Sequence, residues 1–419
     1  MRRRIASVAI SGFACLAAMG CGFGSLGRPD PGVPANPPTL GLQAECLPQF
    51  PDQGGWLGGD AAASVVLPGG DGRSSLWLFG DSFVERPGSP PGRAYPFVHN
   101  SIAISHCDEQ GRWRLDYTWR RSADGTPRAF FEPDPNAKWV EAIRRETGDS
   151  PYYWPISAVS IRGAVFVALL RVAPAEASGP FRLPFRLVGV DLVRIEPSDG
   201  SPERWPLLHS TLSAGSNVFP AASLVVDGDW LHAFAFLERG DGQSPRILLR
   251  LPLESLTTGR PSLEGELETL AEDGDWIAGL DPGRALILMD DDASEMSVHF
   301  DPGLREWLAV YSDPTGSGDD ARGDTVWLRR AERLSGPWSA PMALMRVPEL
   351  VAFRDPEPGE PFCYAGKAHP ELAASGALLV TWVCNFFADS DDETPAVLER
   401  LRTTESFYRP HAMRLAVPR

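Results

Sequence analysis

The sequence predicts an all-β protein, a five-bladed β-propeller with four-stranded antiparallel blades around a central channel. Three observations predict it. Gly (41) and Pro (40) each supply about a tenth of the 419 residues, against about 7% and 5% in ordinary proteins, so turns are frequent. Trp reaches 13 while lysine is nearly absent, which suits short aromatic-rich strands better than long polar helices. Five segments repeat one hairpin pattern, and self-similarity at a regular spacing marks a repeat architecture. A large sandwich and a pair of β domains are the competing architectures, and the matching hairpins favour the propeller.

Residues 1–20 read as an export signal. Arg2, Arg3 and Arg4 form a basic start, and Ile5 to Met19 is an apolar run too short to span a membrane. AMGC (18–21) has the form of a lipoprotein cleavage box, which would leave Cys21 as the lipidated residue; ordinary secretion is the alternative. Residues 21–45 are rich in Gly and Pro and read as a flexible tether. Residues 46–419 are expected to form the propeller. The expected location is the cell envelope, by lipid anchor, or the exterior.

The five hairpins span 59–83, 153–172, 217–238, 294–312 and 364–385. Each opens on a short strand of small and apolar residues. A tight turn follows (GGDG, RG, DGD, DPGLRE, ASG), then a very apolar second strand. Gly-containing turns between such strands are a strong hairpin signal. Trp77, Trp230 and Trp307 fall at similar places in three of them. The starts lie about 65–95 residues apart, which leaves room for two outer strands per unit. SIAISHC (101–107), 185–195, 247–253 and 325–334 are the outer-strand candidates. One helix is expected at 136–148, where Trp139, Val140 and Ile143 have helical spacing.

The formal net charge is −16, and loss of residues 1–20 removes three Arg and no acid, giving −19. Such a chain repels nucleic acid and anionic lipid, so the only membrane contact expected is the anchor. Besides Cys15 and Cys21, four cysteines remain: Cys46, Cys107, Cys363 and Cys384. An even number in an exported chain implies disulfides, with three connectivities open; the local pairing Cys46–Cys107 and Cys363–Cys384 is the expectation. No C-x-x-C pair suggests zinc. The acidic runs MDDD (289–292) and DSDDE (389–393) lack the alternating spacing of a calcium loop and read as solvated. No cofactor and no metal are expected. Neither a G-x-S-x-G elbow nor an H-E-x-x-H pair occurs.

The first hairpin contains LWLFGDSF (76–83), an apolar strand that ends on Asp81. Residues opposite each other in an antiparallel hairpin sum to a constant, so a turn near Gly70 brings Asp81 beside Asp60. Two neighbouring carboxylates cannot both ionise cheaply, and one should hold its proton. By the same arithmetic Glu238 faces Asn217, Trp154 faces Arg171, Glu295 faces Ser312, and Lys367 lies near Asn385. The third strand of the first unit brings His99 and Asn100 to the same end. In YAGKAHPEL (364–372), Lys367 and His369 alternate on one face. In a propeller all these ends surround one mouth of the channel. Paired acids there suit glycosidic bond cleavage, and amides and aromatics suit sugar rings. The expected catalytic set is Asp60, Asp81, Glu295 and Glu238. The expected binding set is His99, Asn100, Trp154, Arg171, Asn217, Lys367, His369 and Asn385.

These segments, with FVHNSIAI (97–104) and LSGPWSAP (334–341), resemble bacterial secreted propellers of a glycosidase-like kind. The resemblance covers about residues 50–390. It points to endo-D-arabinanases and, more distantly, to the arabinanase, xylosidase and invertase superfamily. G-D-[ST]-F is its most specific element. It implies that Asp60 and Asp81 are the acidic pair and Glu295 a further acid. The second blade departs from the pattern by offering Trp154 and no acid. The third offers Asn217, so Glu238 would come from its partner strand. The expected function is hydrolysis of an extracellular or cell-wall polysaccharide, with an arabinan-type furanoside in view, by a monomeric protein. The alternative is a non-catalytic carbohydrate-binding surface lipoprotein.

Overall fold

A computed structural model of the chain describes residues 46–418 apart from 86–96, 179–182, 199, 240–243, 292–294, 313–322, 353–358, 375, 389–392 and 405–406. The expected signal, the tether and Cys21 lie outside the described residues, as do Asp292 and residues 389–392. Among the described residues no helix is long and apolar enough to cross a membrane.

The fold is a five-bladed β-propeller. Blade 1 orders Trp56–Val66, Ser74–Val84, Ser101–Cys107 and Trp113–Thr118, with the short strand Phe97–Val98 on the second. Blade 2 orders Tyr152–Ile161, Ala164–Ser178, Leu183–Ile195 and Leu207–Ala214. Blade 3 runs from Val218–Asp227 and Trp230–Leu237 through Arg246–Pro252 to Glu268–Leu270 and Trp276–Ala278. Blade 4 comprises Met296–Asp301, Glu306–Ser312, Thr325–Ala331 and Met342–Arg346. Blade 5 has three strands among the described residues, Glu360–Ala368, Ala377–Phe387 and His411–Ala416. Four strands are thus the basic number, with a short one added in blade 1 and one in blade 3, and three described in blade 5. All five expected hairpins are the innermost pairs of these blades.

The first strands of consecutive blades touch in a closed ring, and Glu360–Ala368 returns to Trp56–Val66. Serines lace each junction of that ring. Ser160 Oγ donates to Val66 O (2.5 Å) and Ser157 Oγ to Ala221 O (2.7 Å). Val298 N donates to Ser223 Oγ (3.0 Å) and Ala368 N to Ser297 Oγ (2.7 Å). Ser64 meets His369 Nδ1 at 2.5 Å. Inner strands that splay from their neighbours leave backbone groups with no ladder partner, and these hydroxyls satisfy them.

The second strands read as continuous apolar runs because both faces are covered. In Ser74–Val84 the residues from Ser75 to Gly80 are all buried. Leu76 and Leu78 pack with Val165, Val167 and Leu169 of blade 2 in the layer between the two sheets. The expected helix is Lys138–Thr147, closed by Gly148 in a left-handed conformation (φ 81°). It buries Val140 and Ile143 and presents Trp139 to the Arg171 guanidinium at 4.7 Å. Disulfides join Cys46 to Cys107 and Cys363 to Cys384, the local pairing.

Candidate functional site

Asp60 lies on the inner strand of blade 1, where the pairing is irregular. Gly59 pairs with Ser82 and Ala61 with Phe79, so Gly80 and Asp81 together face Asp60. The next step compensates, and Ala61 and Ala62 take left-handed backbone (φ 67° and 56°). Two consecutive non-glycine residues in that region store strain, a pattern concentrated at functional sites. Bulges re-aim side chains, and here they turn both aspartates to one end of the ring. Gly80 is required by this approach: a Cβ on it would overlap Asp60 Oδ1.

Tyr364 OH donates to Asp60 Oδ2 at 2.6 Å. Tyr408 OH donates to the Asp81 carbonyl oxygen at 3.1 Å. Burial, then the Asp81 charge, with Glu295 adding, pushes Asp60 up to about 8, against the lowering effect of the Tyr364 and Tyr408 hydroxyls. Asp81 has a different shell. Its Oδ1 accepts from Trp154 Nε1 at 2.9 Å and contacts His99 Nδ1 at 3.1 Å. Burial raises its pKa too, while His99 and Trp154 pull it down. The pair therefore holds a proton near neutral pH, and the shells favour Asp60 as its bearer.

Aromatic side chains wall the Asp81 side. The His99 ring stacks on Tyr152 (3.5 Å between centroids, 8° between planes). Trp154 meets Tyr152 and Phe185 edge-on, at 5.6 and 4.5 Å. Tyr152 and Trp154 share a face because side chains two apart on a strand do.

Other expected site residues are placed differently. Glu295 forms a buried ion pair with Lys367, whose Nζ also donates to Ala61 O at 3.0 Å. Lys367 is 2% exposed, and its bonds go to protein groups. Asn100 is fully buried: its Nδ2 donates to Phe131 O and Tyr153 O, and its Oδ1 accepts from Phe131 N. It staples strand starts together and has no exposed face for a ligand. Arg171 pairs with Tyr153 rather than Trp154, because a register shift at Ile156 moves the count by one. That step turns it to the other face, where it bonds Asp191 (2.5 Å) and Thr211 (2.6 Å) at 5% exposure. Tyr153 completes the cluster on Asp191.

Asn217 and Glu238 do face each other across the end of the blade 3 hairpin, both exposed. Their bonds close that hairpin, Glu238 N to Asn217 O at 2.9 Å and Asn217 Nδ2 to Glu238 O at 2.8 Å. Asn385 is opposite Phe362, not Lys367: the pairing of Ala368 with Val380 and Lys367 with Thr381 already carries it past the bulge toward Cys363, and the bulge at Ala365 and Gly366 adds one step more. His369 is buried, bonded to Ser64 and to Thr381 (2.7 Å), and packed on Trp77. It lines a cavity of about 300 Å³ along the central channel, walled by the inner strands of all five blades. Asp60 and Asp81 do not line that cavity. Burial, with Lys367 and His299, lowers His369 to about 3, so its ring is neutral. Asp290 and Asp291 pair with Arg329 at 3.1 and 2.7 Å.

Tyr364, Tyr408, Tyr152 and Phe185 escaped the sequence reading. Tyr364 opens a recognised hairpin, and the alternation in YYW (152–154) could have found Tyr152. Tyr408 follows the last hairpin and carries no pattern of its own.

A family model described as a domain of unknown function (DUF5005) matches residues 49–231. No curated protein sequence matches the chain. Among solved structures, the chain is similar to the GH43 BlXynB protein from Bacillus licheniformis, with 12% identity over 79% of this chain and 49% of that one and a TM-score of 0.39. The chain thus spans about half the length of that protein. It is similar to the α-L-arabinofuranosidase PaAbf62A from Podospora anserina, at 9% identity over 90% and 95% of the two chains, TM-score 0.42. It is also similar to the α-L-arabinofuranosidase from Lactobacillus brevis, at 10% identity over 85% and 90%, TM-score 0.43. None of these likenesses assigns a role to a residue here.

Proposed function

We propose that this protein is a glycoside hydrolase of the cell envelope, anchored through Cys21 and acting on an extracellular or cell-wall polysaccharide, with arabinan-type furanosides the first substrates to test. The observation that carries the reading is the Asp60–Asp81 pair, in which burial and the facing charge push the Asp60 pKa up to about 8 while Asp81 is held by His99 and Trp154. Glycosidic cleavage needs an acid and a carboxylate in that division of labour. Asp60 gives its proton to the leaving oxygen as the C–O bond breaks. Asp81 takes a proton from the attacking water, or attacks the anomeric carbon itself. Glu295 is a weaker donor candidate, because its carboxyl is engaged by the Lys367 ammonium. The aromatic wall of Tyr152, His99, Trp154 and Phe185 suits the apolar face of a sugar ring.

That wall also favours a second reading, a non-catalytic glycan-binding protein. A digest of a polysaccharide panel with wild type, Asp60→Asn and Asp81→Asn separates the two. Hydrolysis predicts products from wild type and at least about 100-fold less from either variant. No product from any polysaccharide, with glycan binding unchanged in both variants, selects the binding protein.

A further inference from the structure

The central channel holds a second set of groups that the acidic pair does not use. Its cavity of about 300 Å³ extends to the turn ends of the inner strands, and neither Asp60 nor Asp81 lines it. Val66, Val159, Val226 and Phe300 line it, each half-buried and each at or near the end of its inner strand. Blades 1 to 4 thus each supply an apolar side chain there. Blade 5 supplies Glu371, in the connection that follows Glu360–Ala368.

Glu371 is held by neutral groups. Its Oε1 accepts from Ser64 Oγ, which also meets His369 Nδ1 at 2.5 Å, and His369 Nε2 meets Thr381 Oγ1 at 2.7 Å. With the Ser64 proton given to Glu371, His369 Nδ1 donates to Ser64 and Nε2 accepts from Thr381. Among the described residues no Lys or Arg is paired with Glu371. Burial raises its pKa, while hydrogen bonds from Ser64 and the backbone pull it down. The other charged side chain on the wall, Lys367, is turned to Glu295 and Ala61 O. His299 and His369 also line the cavity and are neutral, since burial lowers them to about 4 and about 3. The described wall therefore carries one acid without a counter-ion. A carboxylate withdrawn from water is costly unless a positive group faces it.

We propose that this part of the channel binds a small primary ammonium ion with an apolar body: Glu371 is its counter-ion, and Val66, Val159, Val226 and Phe300 cover the body. The site goes beyond the hydrolase reading and does not depend on it. Its volume lies at the lower end of the range that takes small organic ligands. An ammonium brings N–H donors to the carboxylate, and an aromatic face such as that of Phe300 attracts a cation. An anion would meet Glu371 as a like charge. A bare metal ion would lack ligands, because no group of three or more His, Cys, Asp or Glu among the described residues is arranged to hold one.

The test is calorimetric titration of the full chain with phenethylammonium chloride, beside phenethyl alcohol, benzoate and calcium chloride. The ammonium should bind at a single site, at least about 10-fold tighter than the alcohol of the same shape. Glu371→Gln should remove that difference, while Asp60→Asn and Asp81→Asn should leave it. No binding of the ammonium, or equal or tighter binding of the alcohol or of benzoate, overturns the proposal. So does displacement of the ammonium by calcium, or an advantage that survives Glu371→Gln. Loss of the advantage in the aspartate variants would put the ammonium at the other mouth and overturns it too. Circular dichroism melts report whether each variant folds. If Glu371→Gln does not fold, Val226→Trp, which fills the cavity, should abolish ammonium binding, and binding at wild-type strength overturns the proposal. Ammonium binding as expected, with no cleavage of any glycan, would sink the hydrolase reading and uphold this one.

Discussion

Asp60 Oδ1 lies against the α-carbon of Gly80, in the space where any other residue would carry its Cβ. The bulge that places Gly80 and Asp81 together opposite Asp60 works only with that gap. Gly80→Ala should push the Asp60 carboxyl off Tyr364. Overpacking of this kind costs about 1–3 kcal/mol. Denaturant melts would measure that loss, and the panel digest should show activity falling by at least about 10-fold. Unchanged values in both assays would remove Gly80 from the explanation of the site.

Asp60 also makes stability depend on pH. Its pKa of about 8 in the fold exceeds the unfolded value, so the native state binds the extra proton. Stability then falls as pH rises between about 4 and 8. Asp60→Asn keeps a neutral side chain of similar shape. It should be more stable than wild type at pH 8, by about 1–3 kcal/mol, with the advantage shrinking toward pH 4. Parallel melts of the two proteins across this window test the sign. A constant difference would place the titration elsewhere.

His99 and Trp154 keep Asp81 competent as the carboxylate of the pair. Trp154→Phe removes one N–H donor and retains an aromatic wall. The Asp81 pKa should rise by about one unit, and the acidic limb of the pH–activity profile should move up with it. His99→Ala should do the same and also unstack Tyr152, weakening glycan binding. An unmoved limb in both variants would show that Asp81 does not act as the base.

Arg171 and Asp191 are a buried ion pair away from the mouth. Arg171→Ala should cost about 3–5 kcal/mol by leaving Asp191 uncompensated, with the pH profile of surviving activity unchanged. Arg171→Met with Asp191→Leu should recover much of the loss. Calorimetry and a pH–rate curve on the single variant separate this role from sugar binding; a normal melting point with weakened glycan affinity would return Arg171 to the mouth.

The inner hairpins are short-range objects, and that is why they were legible in the sequence. A tight turn and two apolar strands specify their own pairing, so five such units predicted the propeller, and the count from the first turn brought Asp81 to Asp60. The apolar second strands, the helix Lys138–Thr147 and the local disulfides follow from the same local rules. Counting failed where a bulge or a turn shifted the register. One extra residue at Ile156 sent Arg171 to the opposite face. In the last hairpin the turn itself set a different register, pairing Lys367 with Thr381, and the bulge at Ala365 and Gly366 moved Asn385 only one step further.

By itself the sequence determined the blades and which two carboxylates share a strand end, because those depend on neighbours along the chain. Only the closed ring decided what surrounds them. Tyr364 reaches Asp60 across 304 positions and Tyr408 reaches Asp81 across 327, while Lys367 is drawn to Glu295. A donor 300 residues away leaves no local pattern, yet the donors and the neighbouring charges are what part the protonation states of two aspartates that the hairpin alone would leave alike.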